Sequence, residues 1–82
     1  MVTRDFSGDD VRKVLVNVGN FHQDRITGSH AILKYTNPDT GEKRTVSVPL
    51  HDRLRIGTLR GIADDAGANE FDEFCAWIDQ NR

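Results

Sequence analysis

The chain has 82 residues, 29% of them charged and 37% apolar, with a formal net charge of −2. That length allows one small domain, expected to span residues 1–82, and excludes an enzyme with a separate cofactor domain. The single cysteine, Cys75, excludes an internal disulfide framework and a cysteine-based zinc cluster. No apolar run approaches the ~20 residues of a membrane span, and no signal-peptide pattern opens the chain. The cytoplasm is therefore the expected location, with no membrane partner.

Phe6-Ser7-Gly8-Asp9-Asp10-Val11 reads as a helix start. Ser7 is placed as N-cap, Asp10 as the returning carboxylate of a capping box, and Phe6 and Val11 as a hydrophobic staple. Val11, Val14, Leu15 and Val18 then recur at helical spacing. The first helix is predicted over 8–18, with Gly19 at C′. An extended segment follows over 21–26, and Gly28 is the expected turn. His30 to Thr36 alternates, with Ala31, Leu33 and Tyr35 on one face and His30, Ile32 and Lys34 on the other. Residues 37–41 are dense in turn formers. Lys43 to Val48 forms a third strand, ended by Pro49. Leu59, Ile62, Ala63 and Ala66 mark a second helix with Gly67 as its stop. Asn69 is the expected cap of a last helix bearing Phe71, Phe74, Cys75 and Ile78. The order is α-β-β-β-α with an extra short C-terminal helix. The fold class is α+β, with helices on one face of a three-stranded antiparallel sheet. The other face is left for solvent or a ligand.

Charge is unevenly spread. Residues 1–60 hold ten Lys/Arg against seven Asp/Glu, a balance of +3, whereas residues 61–82 hold one Arg against six acids, a balance of −5. A basic body can present a positive face despite a negative total. The histidines are His22, His30 and His51. His30 falls on the open face by alternation, where an imidazole can exchange a proton near neutral pH. Taken alone, a solvent-facing strand histidine without a role is the plainer reading. His51 reads alone as a loop side chain, and His22 has no supporting motif. Gly57-Thr58-Leu59-Arg60 opens a helix, where free amides and the helix dipole favour an anion. The cations of the sheet and its loops, Arg25 and Lys34 among them, could track a phosphate backbone.

Five stretches recur in a known order and spacing: Phe6-Ser7-Gly8, Val18-Gly19-Asn20-Phe21, Arg25-Ile26-Thr27-Gly28-Ser29-His30, Val46-Ser47-Val48-Pro49-Leu50-His51 and Gly57-Thr58-Leu59-Arg60-Gly61-Ile62. With them the chain resembles the HicA (YcfA-like) family of small mRNA-interferase toxins. The resemblance covers about residues 6–75. The resemblance implies a double-stranded-RNA-binding-like fold and ribosome-independent cleavage of mRNA by a type II toxin. It carries the catalytic role to His30, in the Gly-Ser-His motif. It also implies a cognate HicB-type antitoxin that covers this histidine, and a free form that is a monomer. Gly28 would allow close backbone approach, Ser29 would help hold the site, and His51 would play a supporting part. Family members often carry a second histidine directly after this motif, where this chain has Ala31, and they are usually basic overall.

The expected chemistry needs neither metal nor cofactor, because RNA carries its own nucleophile, the 2′-OH. His30 is assigned the proton transfer, with Arg25 and Lys34 holding the scissile phosphate. Gly28, Ser29, Thr58 and Arg60 are the further RNA-binding candidates. At least four of the six aromatic residues fall at core-facing positions, so binding is expected to run through phosphates with weak base specificity. The competing readings are a non-catalytic double-stranded-RNA-binding-like module and a protein-interaction domain whose open sheet face docks a partner.

Overall fold

A computed structural model describes residues 3–82. Residues 1 and 2, where the expected 1–82 unit begins, lie outside the described residues. The first helix, α1, runs Gly8–Asn17, and the strands are β1 His22–Thr27, β2 His30–Thr36 and β3 Lys43–Pro49. Two further helices follow, α2 Ile56–Asp65 and α3 Phe71–Asn81. The architecture is α+β, in the predicted order.

Local chemistry accounts for most of these boundaries. The Ser7 hydroxyl accepts from the Asp10 N–H at 3.0 Å and the Asp10 carboxylate accepts from the Ser7 N–H, completing the capping box. Phe6 and Val11 are both fully buried, as a staple requires. At the other end of α1, Gly19 takes the expected C′ position but not the left-handed conformation usual there. Gly19 follows the C-cap Val18, but the left-handed residue is Asn20, at φ 63°. Gly19 is needed for room instead, because a Cβ there would stand 2.8 Å from the Leu15 carbonyl oxygen. The end of α2 behaves as expected. Gly67 takes φ +85°, its N–H donates to Asp64, and the Ala68 N–H donates to Ala63, which is a Schellman motif. The cap of α3 is one residue later than expected. Glu70, not Asn69, is extended, and its carboxylate accepts from the Asp72 and Glu73 amides at 3.0 and 2.8 Å.

The sheet order is β1-β2-β3, antiparallel throughout. The β1–β2 hairpin turns on Gly28-Ser29, with Gly28 at φ +58°. A positive φ at the first loop position alone is the sign pattern of a type II′ turn, which selects glycine there. The longer β2–β3 turn is held by Asn37, whose side-chain oxygen accepts from the Asp39 and Thr40 amides.

Ala31 and Leu33 of β2, and Val46 and Val48 of β3, are fully buried on one sheet face. They share a core with Val11, Val14 and Leu15 of α1, Leu59 and Ile62 of α2, and Phe74 and Ile78 of α3. Both α1 and α2 lie on the sheet, while α3 packs on α1 and α2. Among the described residues, every aromatic side chain is in this core or against it. Among the described residues, the opposite sheet face is therefore free of helices and of Phe, Tyr and Trp rings.

Candidate active site

Strand register determines what the open face carries. Opposed residues of antiparallel strands share a face. His30 lies between Thr27 of β1 and Pro49 of β3, Ile32 between Arg25 and Ser47, and Lys34 between His22 and Thr45. A β-bulge at Asp24 shifts the register between Gln23 and Arg25. The extra residue is what puts both His22 and Arg25 on the open side. Gln23 goes to the helical side, where it accepts from Arg12 of α1.

Arg25 is thus the diagonal cross-strand neighbour of His30, at a Cα separation of about 7–8 Å that a long side chain spans. Its guanidinium pairs with Asp24, and its side chain is 59% exposed. A surface ion pair of this kind contributes little and gives way to a stronger anion. Lys34 shares the face but is four residues along β2, about 13 Å from His30. At that distance Lys34 and His30 do not meet at one group. His22, opposite Lys34, is equally distant.

The second imidazole arrives from the loop after β3. The rings of His30 and His51 stand 6.4 Å apart, centroid to centroid, at an interplanar angle of 66°. Both residues are exposed. Three backbone hydrogen bonds hold this arrangement. The Leu50 N–H donates to the Ser29 carbonyl at 2.7 Å, the Gly8 N–H to the His51 carbonyl at 2.9 Å, and the Leu54 N–H to the Phe6 carbonyl at 2.9 Å. The Ser29 carbonyl thus ties the start of β2 to the loop that carries His51. Gly28 serves the turn: no protein atom lies within 4 Å of where its Cβ would stand.

Thr58 and Arg60 are not brought to this face. Both lie on α2, in the helical layer. The Arg60 guanidinium stacks on the Phe71 ring of α3, 4.3 Å from its centroid. Helix α2 starts at Ile56 with Arg55 as N-cap and no side-chain cap, so Thr58 sits inside the first turn. A groove of about 590 Å³, lined by Arg4, Asp5, Arg53, Leu54, Arg55 and Ile56, borders the loop that carries His51 but has no histidine in its lining. A groove of about 280 Å³ lies between Phe21, Ala68 and Trp77, on the helical side, without any histidine. The histidine site is an open surface, which suits a polymer better than a small molecule. Among the described residues, no three His, Cys, Asp or Glu side chains come together as metal ligands, and no helix is long and apolar enough to cross a membrane.

Residues 8–68 match the family model described as "HicA toxin of bacterial toxin-antitoxin". The chain belongs to the HicA toxin family. Its role is that of a toxin in a toxin–antitoxin system, and a cognate antitoxin is its implied partner. No curated protein and no solved structure matches the chain.

Two departures of this HicA chain gain a structural explanation. Ala31 is fully buried on the core side of β2. A histidine there would point away from His30, so its absence takes nothing from the open face. The acidic total is also segregated. Asp64, Asp65, Glu70, Asp72, Glu73 and Asp79 lie on α2, α3 and the link between them. The basic face keeps Asp24 as its one strand carboxylate.

Proposed function

We propose that this HicA chain is an endoribonuclease that cleaves mRNA as the toxin of a type II system, with His30 as the catalytic residue. The observation that carries the reading is the position of His30: exposed on a helix-free sheet face, with Arg25 as its diagonal neighbour. RNA supplies the nucleophile, so the protein must move a proton and stabilise charge on phosphorus. A positioned imidazole contributes roughly 10²–10⁴-fold. A fixed guanidinium adds electrostatic stabilisation where the phosphorane charge develops. Arg25 serves the scissile phosphate and Lys34 a neighbouring one. Neither metal nor cofactor takes part, and the products carry a 2′,3′-cyclic phosphate.

With every Phe, Tyr and Trp ring in or against the core, this face offers bases no large ring on which to stack, so RNA is held mainly through its phosphates with weak sequence preference. The chain works in the cytoplasm as one domain, free as a monomer, and a HicB-type antitoxin silences it by covering the His30 face. The test is induced expression of wild type and His30→Ala, following growth and total mRNA. Growth arrest with mRNA loss is expected for wild type alone. Equal arrest by both would overturn the assignment. Binding of duplex RNA without cleavage would favour a non-catalytic module.

A further inference from the structure

We infer that His51 is a second catalytic residue, and that the site works as a two-imidazole acid–base pair across one phosphate. The inference rests on the endoribonuclease reading above. Rings whose centroids are 6.4 Å apart stand beyond hydrogen-bond reach of one another. The gap instead admits a scissile phosphodiester with its 2′-OH. Two hydrogen bonds of about 2.6–3.2 Å fit across it, one ring nitrogen accepting from the 2′-OH and an N–H of the other ring donating to the 5′-oxygen. The approach is enforced by backbone, since Ser29 and Leu50, the neighbours of the two histidines, are bonded to each other at 2.7 Å. The His51 carbonyl is occupied by the Gly8 N–H, while its side chain remains exposed. The fold thus uses the backbone of His51 and leaves its imidazole free. No packing demand explains a histidine at this position.

The reaction balances without an outside reagent. One neutral imidazole takes the proton of the 2′-OH as the 2′-oxygen bonds to phosphorus. The P–O5′ bond breaks, and the other imidazole, protonated, gives its proton to the departing 5′-oxygen. The products are a 2′,3′-cyclic phosphate and a 5′-OH, and the two rings end with their protonation exchanged. An imidazole can serve as either the acid or the base of such a pair. The charged groups around the pair are Arg25 from β1 and Asp52 and Arg53 beside His51, with Arg53 paired to Asp5 at 3.0 Å.

The test is the pH–rate profile for cleavage of a defined RNA transcript by wild type, His51→Ala and His51→Gln, with RNA affinity and melting temperature measured alongside. A bell-shaped kcat/KM is expected for wild type. Both variants should melt as wild type does, bind RNA within about twofold, lose about 10²–10⁴-fold in kcat, and lose one limb of the bell. If wild type cleaves and the variants match it, or slow down with both limbs kept, His51 is no acid or base and the inference fails alone. If wild type does not cleave RNA at all, the reading beneath it fails too.

Discussion

The amide of Gly8 donates to the carbonyl of His51 at 2.9 Å, so the first residue of α1 holds the loop that carries the second imidazole. The contact requires glycine. A Cβ at Gly8 would stand 1.8 Å from the Pro49 carbonyl oxygen, a backbone atom that no side-chain rotation can move. Gly8→Ala must displace α1 or the end of β3. Overpacking of this kind costs about 1–3 kcal/mol. Chemical denaturation should show that loss, and RNA cleavage should fall with it even below the unfolding transition, because the His51 loop shifts. A variant as stable and as active as wild type would contradict this role.

Arg25 and Arg60 should separate cleanly in RNA binding. Arg25 faces the same side as His30, whereas Arg60 is committed to Phe71. Arg25→Ala should weaken binding and reduce the slope of log affinity against log salt by about one contact. Arg60→Ala should leave that slope unchanged and cost about 0.5–1 kcal/mol of stability from the lost stacking. Filter binding across a salt series, with thermal melts, checks both.

Replacing Ala31 by histidine should not raise RNA cleavage. Position 31 is fully buried among apolar side chains. A larger, polar ring there finds neither space nor a partner, at a cost of about 2 kcal/mol or more. Ala31→His is expected to lower the melting temperature without raising the cleavage rate. A gain in rate would show that position 31 reaches the site.

Much of this arrangement was legible because it is local. The Ser7–Asp10 box needs four consecutive residues, and the alternation in β2 alone assigns His30 to the open face and Ala31 to the core. The bulge at Asp24 was not legible, because it is a property of pairing with β2 and not of the β1 sequence. Asn69 and Glu70 both carry an oxygen able to cap a helix, and only backbone geometry selects Glu70. The same limit hid the site's main feature. His30 and His51 are far apart in sequence, and the hydrogen bond between Leu50 and Ser29 that unites them has no sequence signature. Thr58 and Arg60 read as phosphate ligands from their motif, but α2 faces the core and α3.

Cys75 should be inert in the folded chain. It is fully buried, and burial pushes its thiol above the usual cysteine range. A folded-state value above the unfolded one favours folding below the unfolded value. That contribution is lost as pH rises through the folded value, so stability should decline on the alkaline side. A thiol reagent at neutral pH should label Cys75 only at the rate of unfolding, and fully in denaturant. Rapid labelling of the native chain would contradict this placement.

Cleavage of RNA by His30 is tested at the chemistry of the cut ends. Purified wild type and His30→Ala would be incubated with a defined transcript in EDTA, and the fragments read by mass spectrometry. Wild type should release fragments ending in 2′,3′-cyclic phosphate, and His30→Ala should do so about 10²–10⁴-fold more slowly. Equal cleavage by the two proteins, or cleavage that EDTA abolishes, would rule out metal-free cleavage by His30.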